Sequence, residues 1–168
     1  MKFVDPNGKW ANDANAQWFI EFARQDIGKP YSEVDCSQLV DNALSEMAND
    51  GTRTAANDNL EGQISAGGLL QASEKGNDNG LVQLEYSSDN VQVGDLLVTG
   101  SHVEIVSGVN KDGTVQTVGA SDKQQKVVER KPFNVNDPKR SPFGNKIPVI
   151  VRINEKKQEP EDEKIDQK

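Results

Sequence analysis

Soft, titratable side chains are scarce in this chain. Its 168 residues include one cysteine, Cys36, and one histidine, His102. A lone cysteine excludes an internal disulfide, so pairing says nothing about redox compartment. It also excludes a closed zinc site, which draws on four soft ligands, and no metal or other cofactor is expected. Aromatic residues make up only 5% of the chain, and hydrophobic residues 34%. No stretch approaches the roughly 20 consecutive apolar residues of a membrane-spanning helix. The opening Met1-Lys2-Phe3-Val4-Asp5-Pro6 lacks the apolar run of a signal peptide, so a Sec signal is not expected. Basic charge is also in deficit. The formal net charge is -8 and the pI about 4.7. An acidic chain is a poor match for nucleic-acid phosphates and gains nothing on anionic lipid.

The apolar residues fall into periodic segments, as expected of one folded domain over residues 1–154. Ala16, Phe19, Ile20, Ala23 and Ile27 share a helical face, which predicts a first helix over about 13–26, stopped by Gly28-Lys29-Pro30. Leu39, Val40, Ala43, Leu44 and Met47 predict a second, starting at Asp35 or Cys36 and capped by Asp35 or Ser32. Residues 48–80 read as loop, with a short helix near 59–71. From Leu81 the period becomes that of strands: 81–86, 95–99, 102–107, 114–118 and 147–153, with a further candidate at 123–130. Asp112-Gly113 marks a hairpin turn. Residues 131–146 carry Pro132, Pro138 and Pro142 and read as an extended surface connection. Residues 155–168 are mostly Lys, Glu, Asp and Gln and read as a disordered tail. Helices followed by a meander of antiparallel strands make an α+β domain.

The two scarce residues stand at element starts. Cys36 opens the second helix in Val34-Asp35-Cys36-Ser37-Gln38-Leu39-Val40. His102 opens a strand after Gly100-Ser101. A thiol attacks carbonyls well only as thiolate, and a helix N-terminus and a neighbouring imidazolium both favour that form. A buried structural cysteine is the competing reading, but Asp35, Ser37 and Gln38 are odd company for a core position. Cys36 is therefore the candidate nucleophile and His102 the candidate general base and acid. The Cys36 amide and the Tyr31 hydroxyl are candidate oxyanion donors. Asp35 and Ser37 flank the nucleophile as candidate substrate contacts. For a third residue orienting the imidazole, Gln116 is the first candidate and Thr117 the competitor, since the hairpin register is uncertain by one residue. A backbone carbonyl or a water is the remaining option.

At these residues the chain resembles a known family. Asp35-Cys36-Ser37-Gln38-Leu39-Val40 resembles the Asp-Cys-Ser-Gly-Leu-Val signature of NlpC-type papain-like cell-wall peptidases. Gly94-Asp95-Leu96 and His102-Val103-Glu104-Ile105-Val106 are similar to that family's Gly-Asp-Leu and His-Val-Gly-Ile-Tyr blocks, and Gly28-Lys29-Pro30-Tyr31 to its Gly-x-Pro-Tyr lead-in. The resemblance spans roughly residues 14–121. It implies a papain-like fold and a cysteine peptidase or amidase hydrolysing peptidoglycan stem peptides. It also implies action at the cell wall or in the periplasm after specialised secretion or lysis, in the manner of type VI amidase effectors or phage wall enzymes. An immunity protein is then a candidate partner. Three departures stand out. Gln38 and Glu104 replace small glycines, which predicts a narrower groove, and Gly119 occupies the place of the family's third catalytic residue, in Val118-Gly119-Ala120-Ser121. Two other functions are compatible with the residues: a toxin-like thiol enzyme, deamidase or acyltransferase, acting on another amide, and a non-catalytic wall-binding module.

Overall fold

The computed structural model describes residues 13–49, 65–74 and 80–153. The charged segment 155–168 and the Asn/Gly-rich stretches at 55–59 and 75–79 lie outside the described residues.

Three helices and six strands are present among those residues: α1 (Asp13–Arg24), α2 (Cys36–Asn49), α3 (Ala66–Glu74), β1 (Leu81–Leu84), β2 (Leu96–Val98), β3 (Val103–Val109), β4 (Val115–Ser121), β5 (Lys126–Glu129) and β6 (Val149–Ile153). The strands form one antiparallel sheet in the order β1-β6-β2-β3-β4-β5. The architecture is thus α+β, but the sheet is not a simple meander, because β6 inserts between β1 and β2.

A buried ion pair explains where β6 lies. Arg152 on β6 donates from Nε to Asp95 Oδ1 at 2.8 Å and from Nη2 to Asp95 Oδ2 at 2.9 Å. The same Nη2 reaches the Asn90 carbonyl, and the Gln92 amide closes on Asp95 Oδ2 at 2.7 Å. Asp95 directly precedes β2, so the pair fastens β6 to β2. Burial pushes the Asp95 carboxyl upward, against the pull of Arg152. Gly94 makes the approach at φ 92°, a left-handed conformation that favours glycine.

Each face of the sheet has its own cover. On one, Val103, Ile105, Val118 and Ala120 meet Phe19, Ile20, Leu39, Val40 and Leu44 of the helices. On the other, Leu97, Val106, Val115 and Ile150 meet Phe133, Val135 and Phe143. Those last three come from 131–146, so this segment is not simply a surface connection. Its prolines shape the turns, and its aromatic residues cover an apolar sheet face that would otherwise meet water. Ile27 also departs from expectation. α1 ends at Arg24, the chain turns through Gly28 at φ 94°, and Ile27 is left 43% exposed. The third helix begins at Ala66, inside the expected 59–71, and runs on to Glu74.

Replacing Asp95 with alanine strands a buried guanidinium and should cost about 3–5 kcal/mol of unfolding free energy. Asp95→Leu combined with Arg152→Met should recover most of that loss. Urea unfolding measures both, and a loss below about 1 kcal/mol in the single variant would show the pair to be dispensable.

Candidate active site

α2 begins at the cysteine because Asp35 caps it. The Asp35 carboxylate accepts the Gln38 amide at 2.8 Å and the Ser37 hydroxyl at 2.9 Å, and its carbonyl accepts the Leu39 amide. This is the N-cap arrangement, in which the side chain satisfies a donor orphaned at the helix start. Asp35 and Ser37 are thus engaged with each other and with the helix backbone. Cys36 is the first helical residue, 8% exposed and with a free thiol.

The lead-in segment positions Tyr31. Gly28 donates to the Val127 carbonyl, Val127 donates to Lys29, and Tyr31 donates to Gln125 at 2.9 Å. Residues 28–31 therefore run along the free edge of β5. The half-buried Tyr31 has its pKa raised by burial first, then by the charge of Cys36 and of Asp122 and Asp35. It remains a protonated donor beside the thiol.

His102 ends the tight turn between β2 and β3. The Thr99 amide donates to the His102 carbonyl at 2.9 Å, and the His102 amide donates back to the Thr99 hydroxyl at 3.2 Å. The imidazole meets Phe143 edge-on, with centroids 5.5 Å apart. Its charge is favoured by the neighbouring Cys36 side chain, and its Nε2 donates to Glu104 Oε2 at 2.5 Å. With Nε2 committed to Glu104, Nδ1 is the nitrogen left to serve the thiol. Partial burial alone would lower the pKa of His102. The hydrogen bonds and charges of Cys36 and Glu104 outweigh it and raise the value to about 9, so an imidazolium persists at neutral pH.

Glu104 is the residue that sequence reasoning did not assign to the site. It is fully buried. Besides His102, its carboxylate accepts Arg130 Nε at 2.8 Å, Arg130 Nη2 at 3.1 Å and the Thr117 hydroxyl at 2.6 Å. Burial works to raise its pKa, but the bonds from His102 and Arg130 prevail and hold it below the usual carboxylate range. Space for it comes from Gly119. The β3–β4 register pairs Ile105 with Val118, and one step further sets Gly119 opposite Glu104. A Cβ at Gly119 would overlap the Glu104 carboxylate. Glu104 and Gly119, both singled out in the sequence, are therefore complementary: the carboxylate fills the space that glycine leaves on the facing strand. That reciprocity was the available signal. The anticipated narrowing of the groove is not where the Glu104 side chain goes; it lies on the sheet face away from the helices.

The other candidates separate by face. Val118 and Ala120 of β4 point into the helix-side core, whereas Thr117 points to Glu104. Gln116 sits opposite Gly108, next to a register shift between Val106 and Gly108, and its Oε1 lies 2.8 Å from where a Gly108 Cβ would be. Among the described residues it makes no hydrogen bond to His102. The structure therefore brings together Cys36, His102, Tyr31 and Glu104, with Thr117 behind Glu104, and leaves Gln116 apart. Among the described residues no group of three or more His, Cys, Asp or Glu converges as a metal site, and no helix is long and apolar enough to cross a membrane.

Compared with family models, curated proteins and solved structures, the chain matches none of them.

The single histidine makes titration direct. Its ring resonances should titrate near pH 9 by NMR, and Glu104→Gln should bring the midpoint down toward the ordinary 6.5. Because the folded value is raised, the stability His102 contributes is complete below about pH 6.5 and is lost as pH rises through 9. A wild-type midpoint at 6.5 would dissolve the charged pair.

Proposed function

We propose that this chain is a cysteine peptidase or amidase of papain-like architecture that hydrolyses amide bonds in peptidoglycan stem peptides. One observation carries the reading. The sole cysteine opens a helix beside the sole histidine, whose far nitrogen is held by a buried carboxylate. This is the nucleophile, base and orienter logic of thiol hydrolases. A nucleophile-bearing helix packed on an antiparallel sheet that supplies the histidine supports the papain-like part. The sequence blocks around Cys36, Asp95 and His102 support the peptidoglycan part, with action at the cell wall after specialised secretion or lysis.

In this mechanism the Cys36 thiolate attacks the scissile carbonyl, forming the Sγ–acyl bond. The negative oxygen is met by the Cys36 amide at the helix start and by the Tyr31 hydroxyl. The His102 imidazolium passes a proton from Nδ1 to the departing amine as the C–N bond breaks. The neutral ring then takes a proton from water, which attacks the thioester and releases the acid and the thiolate. Glu104 is a positioning residue. It keeps the ring oriented and stabilises its charged form, while Arg130 and Thr117 keep Glu104 in place.

Mass spectrometry of muropeptides released from purified sacculi tests the reading. Cys36→Ala and His102→Ala should each abolish release while leaving the fold intact, a loss of several orders of magnitude. Glu104→Gln should lower kcat/KM roughly a hundredfold or more and pull the upper limb of its pH profile downward. Thr117→Val should lower activity less, and Gln116→Ala should leave it unchanged. Wild-type release by either folded dyad variant would remove the proposal. Thiol-dependent deamidation or acyl transfer without cleavage would move it to another amide.

A further inference from the structure

Charge is unevenly distributed around the candidate site. The chain carries a net -8. Yet the cleft of about 650 Å³ that holds His102 and Tyr31 is lined by Lys123, Arg130, Lys139 and Arg140, with Asp122 the one acidic residue on its wall. Two of the four cations are already engaged. Arg130 is spent on Glu104, and Arg140 stands 3.9 Å from Asp137. Lys123 and Lys139 are exposed and make no ion pair among the described residues. They come from separate segments of the lining: Lys123 from the β4–β5 turn, Lys139 from the turns that lead to Phe143. A second cleft shares Arg130 and Arg140 and adds Lys126 and Lys131, with Glu129 held by Arg24. The positive lining therefore continues past β5. Cations without an ion-pair partner lining one groove, in a molecule otherwise rich in anions, concentrate field on whatever occupies that groove.

We propose that the cleft beside Cys36 and His102 selects substrates bearing a free carboxylate close to the scissile amide, with Lys123 and Lys139 as its counter-charges. The hydrolytic half of this statement rests on the function proposed above; the anion preference does not. A lysine is a flexible point charge, suited to a carboxylate that varies in position along a peptide. The two lysines would raise the local concentration of an anionic acyl donor and hold it in the groove.

Alkylation of Cys36 isolates the preference from hydrolysis. Iodoacetate and iodoacetamide deliver the same reaction, displacement of iodide by the thiolate, and differ in charge. The ratio of their second-order rates at low salt, divided by the same ratio for glutathione, should exceed one. The imidazolium alone attracts iodoacetate, so Lys123→Glu/Lys139→Glu is the deciding variant. It should lower the ratio roughly tenfold, and salt should shrink the difference between variant and wild type. An unchanged iodoacetamide rate in the variant shows the Cys36–His102 pair intact. If that rate falls, Lys123→Gln/Lys139→Gln takes its place, with a smaller drop in the ratio expected. A ratio that neither variant moves overturns the proposal. Paired peptides ending in carboxylate or carboxamide near the cleaved bond then separate the two claims. An alkylation preference without peptide cleavage leaves the anion site standing and removes the peptidase. Cleavage of both peptides at equal rates leaves the peptidase and removes the anion site.

Discussion

The buried carboxylate of Glu104 is the interaction on which the candidate site depends. Isolated in the interior it would be strongly disfavoured, and it would protonate in preference to remaining charged. Three partners prevent that: a protonated imidazole, a two-point guanidinium and a hydroxyl. They come from the turn before β3, from the residue after β5 and from β4. One carboxylate thereby binds three neighbouring segments of the sheet and decides which way the imidazole faces. The thiol is then addressed from two directions, by the helix start that bears it and by a ring whose charge is maintained from behind.

A second buried pair does for the scaffold what Glu104 does for the site. Asp95 and Arg152 join the strand entering the His102 turn to the last described strand. The Gly-Asp pair at 94–95, which in the sequence is only part of a block of resemblance, thus has a mechanical meaning. It makes a left-handed bend and provides a buried anchor just upstream of the histidine. The first helix is tied in as well: Arg24 makes a two-point contact with Glu129, which also accepts the Ser107 hydroxyl. Polar pairs at three places fix the registration of layers that apolar contacts alone would leave free to slide.

The legible part of the fold is the periodic part. Ala16, Phe19, Ile20 and Ala23 declare one helical stripe and Leu39 to Met47 another. The Val- and Ile-rich runs are strands within a few residues of their expected bounds. Cys36 and His102 are conspicuous through scarcity and position, and the structure brings them into contact. What stayed hidden depends on neighbours distant in sequence. The place of β6 follows from a salt bridge across 57 residues. The burial of Phe133, Val135 and Phe143 follows from an uncovered sheet face, which local propensity does not register. Gln116 looked suitable because one face of β4 had to look toward the histidine. The bulge and register assign that face to Thr117, and Gln116 lies over Gly108 instead. Ile27 continued a helical pattern that the backbone had already abandoned at Arg24.

The crowding between Glu104 and position 119 also constrains how such a site can change by single substitutions. Any side chain at 119 overlaps the carboxylate on the facing strand, so an orienting group can occupy one strand or the other but not both. Moving an orienting group from 104 to 119 by single steps passes through an intermediate with glycine at both positions. In that intermediate the imidazole has lost its hold, and Arg130 faces an empty space. Positions 104 and 119 thus act as one unit of packing, and a change at either is expected to be tolerated only with a matching change at the other.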